Sequence, residues 1–286
     1  MSKALANSIK ATAEVYSRDE ICNSILTFYN QMLRHPYLDD DDILIVPPPE
    51  GWRSVNKTIG KDETVVDLLC HLPYLRPKNP LPGYLLIFPG TVPICYLDDE
   101  GWNQEDMYPL PAHCVYLARR ADYLGRDLIL DTSNGVVTEF ASDNITIPYD
   151  EYEMLPEVER WRAHQTLPLA ELLDKWSLMY EELVWMFVPN PIARPDMVRF
   201  YNRSDNPGLD NVDFEGGSEF DRELGKTIRR EREHAAKVYD VYIRHGWPDR
   251  FDKKRCRVEL LELEREKDSE ERRLMDEMNP DAELFD

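Results

Sequence analysis

Long apolar runs are missing from this sequence. No stretch approaches the ~20 consecutive apolar residues that a membrane-spanning helix requires. Residues 1–10 contain no continuous apolar segment of the kind that a secretion signal has. We therefore expect neither a membrane span nor secretion. The prediction is a soluble intracellular protein of the cytoplasm, with the nucleus as an open alternative.

Paired cysteines are also missing. The cysteines are odd in number and contain no Cys-x-x-Cys pair; they are Cys22, Cys70, Cys95, Cys114 and Cys256. Four of them lie in apolar runs, where a free thiol behaves as a small hydrophobic group. The pattern predicts a reducing compartment and no disulfide framework.

Positive charge is scarce. The chain has 34 Lys and Arg against 55 Asp and Glu, a net charge of −21. From Ser218 onward there are 16 basic and 20 acidic residues, so residues 1–217 carry the other 18 and 35, a net charge of −17. Nucleic acids and anionic membranes both require clustered basic residues. We therefore predict neither as a partner. An acidic surface of this kind mainly favours solubility, and it is also compatible with a basic protein partner.

The sequence lacks the common motifs of catalysis and ligand binding. It has no Gly-x-Ser-x-Gly, no phosphate-binding glycine loop, no His-Glu-x-x-His and no calcium-loop spacing. His113 and Cys114 are neighbours in a predicted strand, where successive side chains point to opposite faces. We therefore predict no metal site and no cofactor, and no catalytic residue follows from a motif.

Local patterns do predict secondary structure in the first two thirds of the chain. Apolar residues at helical spacing predict helices over 18–34 and 62–71. Asn134-Gly135 lies between Leu128–Asp131 and Val136–Phe140 and predicts a tight hairpin. Further short strands are predicted at 43–46, 84–88, 92–97 and 113–118. Strands at such short intervals favour an antiparallel sheet, so the predicted fold class is α+β with helices flanking this sheet.

The last third of the chain contains longer helical patterns. Apolar residues spaced along one face predict a helix from about Pro168 to Phe187, which Pro189 ends. Residues 202–218 are rich in Asn, Asp, Gly and Ser and predict a flexible linker. Charge-rich helices without a heptad seam follow at 219–244 and 250–278. The predicted domains are therefore a globular body (1–201), a linker (202–218) and a helical extension (219–286).

Two segments resemble known families. The hairpin and the following Leu167-Pro-Leu-Ala-Glu-Leu-Leu173 segment, within 120–180, resemble the C-terminal half of SUKH-superfamily domains. Glu159-Arg-Trp-Arg-Ala-His164 and Leu183-Val-Trp-Met-Phe-Val-Pro-Asn-Pro191 are similar to segments of uncharacterised filamentous-fungal proteins. The first resemblance implies a protein-binding module rather than an enzyme, and neither implies a catalytic residue.

Two functional hypotheses from different classes follow. The first is an acidic interaction or scaffold module that binds a protein through aromatic anchors, for which the candidates are Trp52, Trp102, Tyr108 and Trp247. Each of the loop aromatics could instead cover the core, and the tail helices could instead pair with a second copy to form a homodimer. The second hypothesis is a hydrolase with carboxylates between sheet and long helix, for which the candidates are Asp131, Glu139 and Glu171. We favour the first.

Overall fold

The fold of the chain is α+β, as predicted. A computed structural model describes residues 16–38, 43–56, 60–76, 85–97, 109–191, 198–204 and 217–278. Its contacts divide the chain into two compact units, one formed by Met1–Asn30 and Asp41–Trp176 and the other by Gln31–Asp40 and Ser177–Asp286. The division falls within two helices, α1 (Arg18–Leu33) and α4 (Leu169–Glu181).

The first unit contains most of the strands. After α1, its elements are β1 (Leu44–Ile45), α2 (Glu63–His71), β2 (Tyr74–Leu75), β3 (Thr91–Pro93), β4 (Cys114–Arg120), β5 (Asp127–Asp131), β6 (Val136–Phe140), α3 (Tyr149–Met154), a 3-10 helix (Glu157–Ala163), β7 (Thr166–Pro168) and α4. The strands β3 to β7 form one antiparallel sheet in sequence order, and β1 pairs with β2. Consecutive antiparallel neighbours are the arrangement that short connections permit.

The hairpin of β5 and β6 forms where Asn134-Gly135 predicts it. Asp131 pairs with Val136 at the turn, and Asp127 pairs with Phe140 at the open end. Gly135 has φ of 74°, a left-handed conformation that glycine adopts without steric cost, and its N–H donates to the Asp131 carbonyl at 2.9 Å. The turn therefore fixes the register of the strands on which the sites below depend.

The core of the first unit is aromatic and aliphatic. Trp176 is 2% exposed, as the helical pattern predicts, and its ring lies 4.9 Å from Phe88 and 6.0 Å from Phe28. Leu128, Ile129 and Leu130 are successive residues of β5 and are all buried. Because neighbours in a strand face opposite sides, both faces of the sheet are covered at β5.

The second unit contains β8 (Trp185–Val188), β9 (Arg199–Asn202), α5 (Glu219–Arg244) and α6 (Lys253–Met278). The strands β8 and β9 form an antiparallel pair. Their buried side chains form one hydrophobic cluster with those of the two helices; it comprises Leu183, Met186, Val188, Tyr201, Ala235, Val238, Val241, Tyr242, Trp247, Cys256 and Leu260. The helical tail thus supplies seven of the eleven residues of this cluster.

One prediction about the last third of the chain needs correction. The long helix ends at Glu181 rather than near Phe187, because Leu183 adopts a left-handed φ of 53° and the residues from Trp185 pair with β9. The predicted body (1–201) and extension (219–286) differ from the compact units, since the second unit combines β8 and β9 with the tail helices. Of the predicted linker (202–218), residues 205–216 lie outside the described residues.

Candidate functional site

Of the predicted aromatic anchors, the structure describes Trp52 and Trp247, one in each compact unit. Trp102 and Tyr108 lie outside the described residues. Trp52 is partly buried and its Nε1 donates to the Leu72 carbonyl at 2.9 Å, which fits a ring that covers the core. Trp247 is only 6% exposed and its Nε1 donates to the Glu181 carbonyl at 2.7 Å. Trp247 is therefore a core residue of the second unit and not a surface anchor.

The candidate carboxylates of the hydrolase hypothesis are not assembled either. Glu139 pairs with Leu128 across the β5–β6 ladder, whereas Asp131 lies three residues further along β5. Asp131 and Glu139 therefore face opposite sides of the sheet, about 10 Å apart along the strand. Glu171 is exposed on α4.

Glu139 itself is a structural carboxylate. It is 6% exposed, and Arg126 forms an ion pair with it at 3.0 Å. Burial raises its pKa, and the positive charges of Arg126 and Lys175 partly oppose this rise. The ion pair with Arg126 accounts for the burial of the Glu139 carboxylate, and no catalytic role is needed to explain it.

A groove lies between α5 and α6 in the second unit. Its first section has a volume of about 510 Å³. Apolar side chains of α6, Leu263, Leu274 and Met275, line it together with charged residues of both helices. The cations are Arg230, Lys237 and Lys267, and the carboxylates are Glu231, Glu233, Glu266, Glu270 and Glu271. Because α5 and α6 form a helical hairpin, we call this surface between them the hairpin groove.

The hairpin groove continues along the helix pair. A second section of about 360 Å³ shares Lys237, Leu263 and Glu266 with the first and reaches Arg244. From Thr227 to Arg244, α5 advances about 26 Å at 1.5 Å per residue. The groove is therefore about as long as a helix of five turns.

The rim of the hairpin groove is acidic. The two sections together contain eight carboxylates and four Lys or Arg side chains, a net charge of −4. Two of the cations are already engaged, since Lys267 lies 2.8 Å from Glu231 and Arg244 lies 2.5 Å from Glu259. A ligand with positive charge at its edges is the electrostatic match for this rim.

A buried polar cluster fixes α6 beneath the groove. Glu264 is fully buried and accepts hydrogen bonds from His234 Nε2 at 2.7 Å, from an Arg199 nitrogen at 2.5 Å and from the Tyr201 hydroxyl at 2.9 Å. Arg199 also pairs with Asp268. Burial alone would raise the pKa of Glu264, but the hydrogen bonds and charges of His234 and Arg199 outweigh it and lower that pKa. The charged cluster thus sets how α6 is held against α5 and β9.

The outer half of the helix pair, formed by the start of α5 and the end of α6, exposes apolar side chains to solvent. Phe220 and Met275 are 74% and 67% exposed, and Leu224 is also exposed. Ser218 and Asp221 form a capping box that starts α5, so this half is helical although it contributes no large side chain to the hydrophobic cluster.

A second group of side chains that could bind a metal ion or react lies in the first unit. One potential ligand atom each from His113, Cys114 and Asp131 lies within 4.8 Å of the others. The strand-alternation argument against His113 and Cys114 fails because β4 begins at Cys114, and His113 belongs to the preceding turn. No local sequence signal marks this group, because it depends on the β4–β5 register, which sets Cys114 opposite Asp131.

Cys114 is not an activated nucleophile. Its side chain is fully buried, and burial, with the charge of Asp131, raises its pKa to about 11. A thiol with so high a pKa is protonated at neutral pH, whereas a nucleophilic cysteine needs the thiolate.

Comparisons of the chain with protein-family models, with curated proteins and with solved structures found no match. The resemblance to the SUKH superfamily therefore stays a prediction. Among the described residues, no helix has the length and apolar character to cross a membrane.

Proposed function

We propose that this chain is a protein-interaction module whose hairpin groove binds an amphipathic helix of a basic protein partner. The observation that carries the proposal is the groove itself, which is lined by apolar side chains of α6 and by carboxylates of both helices and has a length of about five helical turns. A helix that lays an apolar stripe into such a groove is a recurring mode of peptide recognition.

The packing of α5 and α6 supports a helical occupant. Towards its inner end, the pair buries Val238, Val241 and Leu260 against β8 and β9. Beyond Asp268, by contrast, no described residue of α6 is buried. A third helix in the groove would cover Leu274 and Met275 and turn the outer half of the pair into a three-helix arrangement with its own apolar seam.

Charge supports a basic partner rather than an acidic one. The groove has a net charge of −4, and the whole chain one of −21. Lys or Arg residues beside the apolar stripe of the incoming helix would meet Glu266 and Glu270 at the rim. Such a pairing speeds association and makes binding sensitive to salt.

The proposed setting is intracellular. All five cysteines are free, which suits a reducing compartment. The SUKH resemblance implies a binding role of the same kind. A scaffold with this surface would act by bringing its partner to other proteins and would require no catalytic group.

The test starts with immobilised full-length protein and an extract of the source cells. A retained, stoichiometric partner is cross-linked through the groove lysines, Lys237 and Lys267, and the cross-linked segment is identified by mass spectrometry. A synthetic peptide of that segment is then titrated against the protein. We expect a peptide that becomes helical on binding, at a stoichiometry of one, with an affinity that falls as salt rises.

A matched pair of variants locates the binding surface. Leu274→Arg places a charge on the groove floor and is expected to weaken peptide binding at least about tenfold, the loss of one apolar contact. Val258→Arg makes the same change at an exposed position of α6 outside the groove and is expected to leave affinity unchanged. Equal binding by Leu274→Arg and the unchanged protein would overturn the proposal.

The homodimer alternative gives a different result. If a second copy occupies the groove, sedimentation shows a dimer that Leu274→Arg converts to a monomer, and no foreign partner is retained. That outcome would show that the hairpin groove is a binding surface, but that its occupant is a second copy of this chain and not a basic protein partner.

A further inference from the structure

The β4–β5 ladder holds three metal-binding side chains close together. Cys114 is the first residue of β4 and lies opposite Asp131, the last residue of β5. His113 is fixed from the other side, because both the N–H and the hydroxyl of Thr132 donate to its carbonyl at 2.9 Å. The backbones that bear all three side chains are therefore locked before any ligand arrives.

The spacing of the ligand atoms is close to that of a metal site. His113 Nε2 lies 3.9 Å from Asp131 Oδ2, and one ligand atom of each of the three residues lies within 4.8 Å of the others. Tetrahedral zinc, with bonds of about 2.0–2.3 Å, places its ligand atoms about 3.3–3.8 Å apart. Shifts of about 1 Å, which side-chain torsions supply, close the difference.

The hydrogen bonds of Asp131 leave one oxygen for a ligand. Oδ1 accepts from the Ser133 N–H at 2.8 Å and from the Ser133 hydroxyl at 2.6 Å. Oδ2 is the atom that faces His113. Outer hydrogen bonds of this kind orient a carboxylate ligand and are a regular part of metal sites.

We propose that His113, Cys114 and Asp131 bind one Zn²⁺, with solvent at a fourth position. A thiolate with an imidazole and a carboxylate favours zinc over calcium or magnesium, which prefer oxygen ligands alone. The side chains of His113 and Asp131 are 39% and 18% exposed, so the cluster has an opening to solvent. Cys114 lies at its buried end.

The positive charges around the cluster favour the thiolate form of Cys114. Lys61 lies next to it and donates to the Cys114 carbonyl at 2.8 Å, and Arg162 adds positive potential at the thiol. The same positive charges oppose a bound cation, so the ion has to be held by direct bonds to the thiolate and the carboxylate. Binding of Zn²⁺ releases the Cys114 proton to solvent, and the resulting thiolate and the Asp131 carboxylate together balance the charge of the ion.

The test uses the full chain, purified without metal. Zinc affinity is measured by competition with a chromophoric chelator, and Co²⁺ is added as a spectroscopic probe. We expect one zinc per chain and, with cobalt, the charge-transfer absorption of a cobalt–thiolate bond. His113→Gln and Asp131→Asn change partly exposed ligands, and each is expected to lower zinc affinity by more than about tenfold. Cys114→Ala is expected to abolish the cobalt–thiolate band.

Two further variants separate this site from adventitious binding. Cys70→Ser removes another cysteine of the first unit that lies outside the cluster, and it is expected to leave affinity and spectrum unchanged. Ser133→Ala removes one hydrogen bond to Asp131 and is expected to weaken binding by about tenfold. The proposal is overturned if no zinc binds, if His113→Gln and Asp131→Asn bind it as tightly as the unchanged chain, or if cobalt gives no thiolate band.

Discussion

His35 is the buried residue whose chemistry depends most on its surroundings. Its ring is fully buried against Tyr180, Tyr242 and Trp247. The Tyr242 hydroxyl donates to the Phe187 carbonyl at 3.0 Å, so it accepts from His35 Nδ1 at 3.3 Å. His35 Nε2 is buried without a hydrogen-bond partner among the described residues. Burial, reinforced by the charges of Arg34 and Lys253, lowers the pKa of His35 to about 3.

This depressed pKa predicts a loss of stability in mild acid. In the unfolded chain His35 has a pKa of ~6.5. Below that pH His35 is protonated in the unfolded chain but stays neutral in the folded chain. The free energy of unfolding therefore falls by ~1.4 kcal/mol per pH unit until the pKa of the folded state is reached. Between pH 7 and 5 the contribution of His35 is about 2 kcal/mol. His35→Phe should remove that part of the pH dependence, measured by urea-dependent hydrogen exchange of α5 at both values. An equal loss of stability in both proteins would contradict the assignment.

Glu264 is predicted to be the most sensitive charge of the second unit. Glu264→Ala leaves Arg199 and His234 without their shared carboxylate, and breaking a buried ion pair in this way costs about 3–5 kcal/mol. Glu262→Ala, at an exposed position of the same helix, should change stability by less than about 0.5 kcal/mol. The free energy of unfolding of α6, measured as for His35, distinguishes the two. Similar small effects would mean that the cluster contributes little.

At the scale of elements, the tail helices are integral to the second unit. Met186 and Val188 of β8 are fully buried in a cluster that includes Val238, Tyr242 and Leu260. A chain truncated after Ser218 should therefore lose the hydrogen-exchange protection of β8. The amides of β5 and β6 serve as the internal reference, since their strand partners all lie in residues 114–168. Full protection of β8 in the truncated chain would show that the tail is a separate appendage.

Elements with strong local signals could be predicted from the sequence. The helix over 18–34 and the helices of the tail occur within a few residues of their predicted bounds, because apolar periodicity, caps and the Gly246-Trp-Pro248 break are local. The strand predicted at 84–88 is reduced to an isolated bridge between Phe88 and Thr91. The predicted end of the long helix was also wrong, because the segment from Val184 to Val188 is apolar enough to fit either a helix or a strand.

At the scale of the whole molecule, the charge and the fold class could be predicted and the division into units could not. The deficit of basic residues is a property of composition, and antiparallel strands follow from short connections. The compact units, however, join residues 31–40 with 177–286, which are far apart in sequence. No linear pattern in the chain marks such a boundary.

The sequence by itself determined the helical faces, the β5–β6 turn and the acidic character, because each depends on neighbouring residues or on totals. Only the tertiary structure decided that Trp247 is buried, that β8 is a strand, and that His113 and Cys114 meet Asp131. It also decided that α5 and α6 leave a groove between them. Those outcomes depend on register and on packing between residues 11 to 66 positions apart. The free energy of such contacts comes from the assembled core, which no single segment specifies.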